Sequence, residues 1–151
     1  MLTFEVTAVS TSDTGLTVKA RDFEFIVDEP AALGGGDLGP NPVEYELGAL
    51  LGCLNVVVHL VAKEQGVTLT SFSATARGDL DPAKFMGADT DVRAGYLAIE
   101  VTIVVEGDAD ADKLDEIARI SESRCPVSDN IANTTPVAIT IVKKALVDQL
   151  V

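Results

Sequence analysis

The sequence predicts an α+β domain, antiparallel β-structure with helices gathered on one side, in the order βββ-α-ββ-α-β. Three observations carry that prediction. Short apolar–polar alternations open the chain and return as two longer runs. A long apolar stretch with helical spacing follows a loop rich in Gly and Pro. A second, amphipathic helical stretch follows the last long alternation. At 151 residues the chain is sized for one domain, 1–151, with a real core.

Residues 2–9, 15–20 and 23–28 read as three short strands, the first two joined by the turn-forming cluster "TSDTG". The loop "DEPAALGGGDLGPNP" lacks both the Lys-Ser/Thr ending of a P-loop and the Gly spacing of a dinucleotide fingerprint, so it reads as a connector. Asn41 and Pro42 then start a helix as N-cap and first-turn residue, with Glu44 and Glu46 near the positive end of the dipole. It runs to about Gln65 and stops at Gly66. Val43, Leu47, Leu50, Leu51, Leu54, Val57, Val58 and Val61 cover most of its circumference, which calls for protein on nearly all sides. Gly48 and Gly52, four apart, would let another backbone come close. So apolar a helix is hard to bury in one small domain and points to a homodimer. "VTLTSFSATARGDL" and "YLAIEVTIVVEG" read as two long strands joined across residues 81–95. A helix at about 110–123 follows, capped by Asp110, with Leu114, Ile117, Ala118 and Ser121 on one face. "PVAITIVKKAL" reads as a final strand.

Composition narrows the function. Twenty-four acids against 11 bases give a net charge of −13. That argues against nucleic acid, which needs clustered Lys and Arg, and against an anionic membrane surface. Hydrophobic residues at 47% and charged residues at 23% describe a soluble globular chain. "MLTFEVTAVS" alternates like a strand and has no signal-peptide pattern, so a cytoplasmic location is expected. The longest apolar region, 47–62, is interrupted by Asn55 and His59 and flanked by charges. It reads as a buried helix rather than a membrane span.

The chain has two cysteines, Cys53 and Cys125. In a reducing cytosol such a pair is catalytic, redox-sensing or simply buried. Cys53 sits mid-helix among aliphatic neighbours that raise a thiol pKa, so its reactivity would need a cation from elsewhere in the fold. Lys19 and Arg21 are the strand-borne candidates, with Arg93 and Arg124 further along. Cys125 precedes Pro126 and would stand where an N-cap does, with the amides of Val127 and Ser128 nearby to lower its pKa. Local features leave open whether it is reactive or merely closes a helix-to-turn junction. His59 is the only histidine, no Ser-His-Asp set can be assembled, and the Cys/His spacing is not that of a zinc site. No metal or bound cofactor is expected.

"VDEPAALGGGDLGPNPVEYELGALLGC", followed 72 residues on by "ESRCPVSDNIANTTPV", resembles the OsmC/Ohr family of osmotically induced and organic-hydroperoxide-resistance proteins. The resemblance spans nearly the whole chain. It implies an OsmC-like fold with antiparallel sheets wrapped around long central helices in an intertwined homodimer. It also implies thiol-dependent reduction of organic hydroperoxides and, less well, of hydrogen peroxide, with an external dithiol reductant restoring the enzyme. Cys53 matches the peroxidatic cysteine and Cys125 the resolving one, within or near disulfide reach. An Arg from the early strands, Arg21 (or Lys19), would stabilise the thiolate, held by a carboxylate, Glu44 or Glu46. The best-characterised members carry Glu immediately after the Pro that starts the helix. Here Val43 holds that position and Glu44 stands one step on, about 100° around the helix. This resembles a broader OsmC-like branch. A protein with weak or no peroxidase activity, binding an apolar ligand at the dimer interface, is the alternative. Exchange with protein disulfides is disfavoured by the absence of C-x-x-C.

Overall fold

A computed structural model describes residues 1–143 of the chain. Strands β1 (Thr7–Ser10), β2 (Leu16–Ala20) and β3 (Phe23–Val27) form an antiparallel meander. Helix α1 (Pro42–Glu64) leads to a second antiparallel pair, β4 (Leu69–Asp79) and β5 (Ala98–Gly107), then α2 (Ala111–Arg124) and α3 (Pro126–Ala132). The α+β class and the two long strands stand as the sequence predicts.

Local chemistry sets the helix boundaries. The Asn41 side chain accepts the Glu44 amide at 2.9 Å, and the Glu44 carboxylate accepts the Asn41 amide at 2.8 Å, a reciprocal capping box with Pro42 in the first turn. Gly66, at φ +74°, turns the chain out of the helix. Asp110 caps α2 by accepting the Lys113 amide at 2.9 Å.

The Gly-rich loop is a connector, and its amides are already used. Asp28, buried at the end of β3, accepts the amides of Glu29 (2.8 Å), Gly36 (3.0 Å) and Leu38 (3.3 Å). Those are the donors an anion would need. The loop closes on the chain's own carboxylate instead.

The core lies between α1, α2 and the β4–β5 pair. Val57, Val58, Val61 and Ala62 of α1 bury against Ile117 of α2, with Phe72 and Ile103 packed from the strands. One turn or more toward the start of α1, Leu50 and Leu54 bury against Cys125, with Ile99, Val101 and Ile103 of β5 behind them.

Two expectations need correction. Only Thr7–Ser10 of the first strand pairs, leaving Leu2, Phe4 and Val6 exposed. The final strand does not form across residues 136–143, where Val137, Ile139 and Ile141 are exposed; residues 144–146 of that expected strand lie outside the described residues. The reason is the same at both places: alternation makes a strand only where an edge is available to pair with, and within this chain neither segment meets one. In place of that strand the described chain closes with α3. Helix α1 is wrapped on one face by its own chain, and the rest of its apolar surface is what the expected homodimer would cover. Gly48, Gly52, Val56 and Leu60 form an open stripe, with Val56 64% exposed. By length and composition α1 would pass for a membrane span, but its other face is fitted to α2, α3 and β4.

Candidate functional site: a dithiol at a helix junction

Helix α1 carries Cys53 on the edge of the buried face, one residue from Leu54 and three from Leu50. Helix α2 approaches α1 and ends at Arg124. Cys125 is at once the C-cap of α2, with its amide donating to the Glu122 carbonyl, and the N-cap of α3, with φ −81° and ψ 111°. Pro126 dictates this junction: it cannot continue the α2 hydrogen-bond ladder, it forces the preceding residue to extend, and it is preformed for a first helical turn.

That backbone turn delivers the Cys125 sulfur to Cys53. The two Sγ atoms lie 2.9 Å apart in a shared hydrogen bond between free thiols. Closing that gap to a bond requires about 0.9 Å of movement, within side-chain rotation and a small backbone shift. Cys125 is almost completely buried, at 1% exposure, whereas Cys53 is half-buried. The Ser128 amide donates to the Cys125 sulfur at 3.4 Å, a sulfur N-cap. Burial pushes the Cys53 thiol up, the neighbouring Cys125 thiol pushes it further, and the Val127 amide partly offsets both. Among the described residues no cation acts on Cys53.

The structure brings together the cysteines but not the other residues singled out from sequence. Arg21 sits on the turn between β2 and β3 at φ +57°, not in a strand, and its guanidinium stacks over Phe23 at 5.2 Å. Lys19 is exposed on β2. Neither is placed at Cys53 by its own chain. Glu44 has the capping task described above. Arg124, next to Cys125 in sequence, points away and makes a bidentate pair with Glu64, at 2.5 and 3.1 Å. That pair ties the end of α2 to the end of α1, raises the Arg124 pKa and lowers that of Glu64. His59 is satisfied on the helix, its Nδ1 2.8 Å from the Asn55 carbonyl and its ring against Phe72. Among the described residues no three His, Cys, Asp or Glu side chains gather as a metal site would require.

Sequence reasoning missed a cavity of about 960 Å³ on the far side of the Leu50–Leu54 pair. Ile99 and Val101 give it an apolar floor, and Glu46, Arg93 and Tyr96 stand at one end. Tyr96 donates to the Val43 carbonyl at 2.8 Å, which fixes the β4–β5 connection against the start of α1. No local pattern announces this, because its parts come from four separate segments.

An α+β chain that sets one cysteine mid-helix against another at a Cys-Pro helix junction defines a dithiol protein of OsmC-like architecture. Comparison with known proteins agrees. The profile of the family described as "OsmC-like protein" matches residues 34–140, and the chain belongs to that family. No curated protein matches it. Among solved structures, the OsmC-like protein from Mycoplasma pneumoniae has a TM-score of 0.75 at 19% identity, over 87% of this chain and 88% of that one. An organic hydroperoxide resistance protein, OsmC, from Legionella pneumophila has a TM-score of 0.63 at 19% identity, over 87% and 90%. The organic hydroperoxide resistance protein OhrB of Bacillus subtilis has a TM-score of 0.57 at 24% identity, over 85% and 90%. At such identities the likeness is one of fold.

Proposed function

We propose that this chain is a cytoplasmic, homodimeric thiol peroxidase that reduces small organic hydroperoxides and, less well, hydrogen peroxide. The observation that carries the proposal is the 2.9 Å approach of Cys53 and Cys125, brought about by the Cys-Pro junction between α2 and α3. The Cys53 thiolate attacks the peroxide: an S–O bond forms, the O–O bond breaks, and the alcohol leaves with a proton. The Cys125 thiol then attacks the Cys53 sulfenic acid, forming the disulfide and releasing water. An external dithiol returns the electrons. The cysteines are themselves the redox centre, so no bound cofactor is required.

Burial works against the first step by disfavouring the Cys53 thiolate, and an opposite charge within about 4–6 Å can reverse that. In this proposal Arg21, or Lys19, of a second copy supplies the charge. The open stripe on α1 gives the second copy a place to pack, and neither Arg21, on the β2–β3 turn, nor Lys19, on β2, acts on the Cys53 of its own chain. Sedimentation at low micromolar concentration should give about twice the 15.8 kDa chain mass, and a folded monomer there refutes the arrangement.

The chemistry is tested by stoichiometry. Cys53→Ser abolishes peroxide turnover, while Cys125→Ser consumes one equivalent and leaves a sulfenic acid on Cys53 that dimedone traps. The opposite pattern reverses the roles. A second reading, an OsmC-like protein that binds an apolar ligand with little peroxidase activity, draws support from the 960 Å³ cavity and from the capping duty of Glu44. Saturable binding of an apolar ligand with no peroxide consumption under excess dithiol would establish it.

A further inference from the structure

The two sulfurs of the pair are not equivalent toward an incoming thiol, and the difference fixes the path by which a disulfide between them is reduced. We propose that the reductant attacks Cys53 and expels Cys125. The inference rests on the dithiol reading above but concerns the regeneration half of the cycle.

Access comes first. A thiolate attacking a disulfide approaches one sulfur in line with the S–S bond, from the side opposite the leaving sulfur. For Cys125 that side is the protein interior: the residue is 1% exposed and packed among Leu50, Leu54, Val127 and Ile131. The nearby cavity does not open a route, since its lining includes Leu50, Leu54 and Ser128 but neither cysteine. Cys53 is half-buried, at the margin of both apolar clusters.

The leaving group comes second. Exchange is faster when the expelled thiolate is the better-stabilised one. Expelled Cys125 stands at the N-cap of α3, where the Ser128 amide already donates to its sulfur. Expelled Cys53 would appear in mid-helix, away from any helix cap, where the Val127 amide only partly offsets burial. Burial disfavours either thiolate, and the Ser128 donor at the α3 cap is what favours Cys125 as the leaving group.

The step balances as follows. A thiolate RS⁻ forms an S–S bond to Cys53 as the Cys53–Cys125 bond breaks, and the electron pair departs on Cys125, which takes a proton from solvent. A second thiol, the other arm of a dithiol or a second monothiol, then attacks the R sulfur and releases Cys53. Two thiols are oxidised to one disulfide and the protein pair is reduced. Cys125 is protected from direct attack throughout, so one sulfur serves as the site of entry for both oxidant and reductant.

The test needs no peroxide. The intact protein is oxidised with diamide until both thiols are lost, exposed briefly to 2-mercaptoethanol, quenched in acid, alkylated and mapped by mass spectrometry. The expected product carries mercaptoethanol on the Cys53 peptide and alkyl on the Cys125 peptide, in at least about tenfold excess over the reverse. An adduct mainly on Cys125, or equal amounts on the two, overturns the inference. So does failure of diamide to form the intramolecular disulfide. If diamide forms the disulfide and the adduct maps to Cys53, yet the protein consumes no peroxide, the peroxidase reading falls and this inference stands.

Discussion

Substitution of Glu44 separates a structural carboxylate from a chemical one. In this chain its carboxylate accepts the Asn41 amide at 2.8 Å at the first turn of α1, where the helix dipole also favours a negative charge. Glu44→Ala removes one solvent-exposed capping hydrogen bond, about 0.5–1 kcal/mol, and a charge–dipole interaction of about 0.3–1 kcal/mol. The sum is about 0.8–2 kcal/mol, and for a chain of this size it lowers Tm by about 2–8 °C. Glu44→Gln keeps a side-chain acceptor for the capping box and loses only the charge, so its Tm should fall by no more than about 4 °C. Thermal melts followed by circular dichroism measure both, and initial rates of peroxide consumption are read on the same samples. The expected result is a stability loss in the order Ala greater than Gln, with both variants retaining peroxide rates within about threefold of the parent at a temperature where all are folded. Two results refute the reasoning: an unchanged Tm for Glu44→Ala, or a folded Glu44→Gln whose rate collapses. The latter would place the carboxylate in the chemistry.

Three further perturbations follow from the same geometry. Ile117→Ala empties the position where α2 fills the α1 core, a side chain 2% exposed, and should cost about 3 kcal/mol, seen as a lower urea midpoint with an unchanged slope. Burial raises the Asp28 pKa, but the Thr14 side chain and the amides of Glu29, Leu38 and Gly36 together hold it below its ordinary 3.8. Its contribution to stability is therefore present above that value and is lost as pH falls through the lower folded value, so the advantage of the parent over Asp28→Asn should shrink in acid melts below about pH 4; a constant difference would show that the carboxylate's charge is not what the loop uses. If Arg21 of a second copy activates Cys53, Arg21→Ala moves the pH midpoint of Cys53 alkylation upward by about one unit or more, because a nearby cation favours the thiolate; an unmoved midpoint excludes it.

The legible part of the fold was the part written in periodicity and caps. Asn41, Pro42 and Gly66 marked the ends of α1, and Asp110 the start of α2, because capping is decided within a few residues. The same local logic put Cys125 at a cap beside Pro126 and the amides that follow. Strand pairing was less legible at the two ends, since residues 2–6 and 136–142 have the right alternation but pair with no strand of their own chain. At the site, the meeting of Cys53 with Cys125 came from resemblance; neither local environment contains the other. The engagement of Arg124 by Glu64, sixty residues away, and of Arg21 by Phe23 depends on side-chain directions that no spacing rule supplies.

The double capping by Cys125 gives oxidation a mechanical side. One sulfur ends a fourteen-residue helix, accepts the first-turn amide of a seven-residue one, and touches a third. A seven-residue helix has little cohesion of its own and relies on its cap and its packing. A bond to Cys53 would draw the sulfur about 0.9 Å toward α1 and bear on its 3.4 Å contact with the Ser128 amide, so a tie that stiffens one joint would strain the next. The chemical state of two atoms is thereby written into the firmness of residues 126–132, at the point where the peptide leaves the core for the surface.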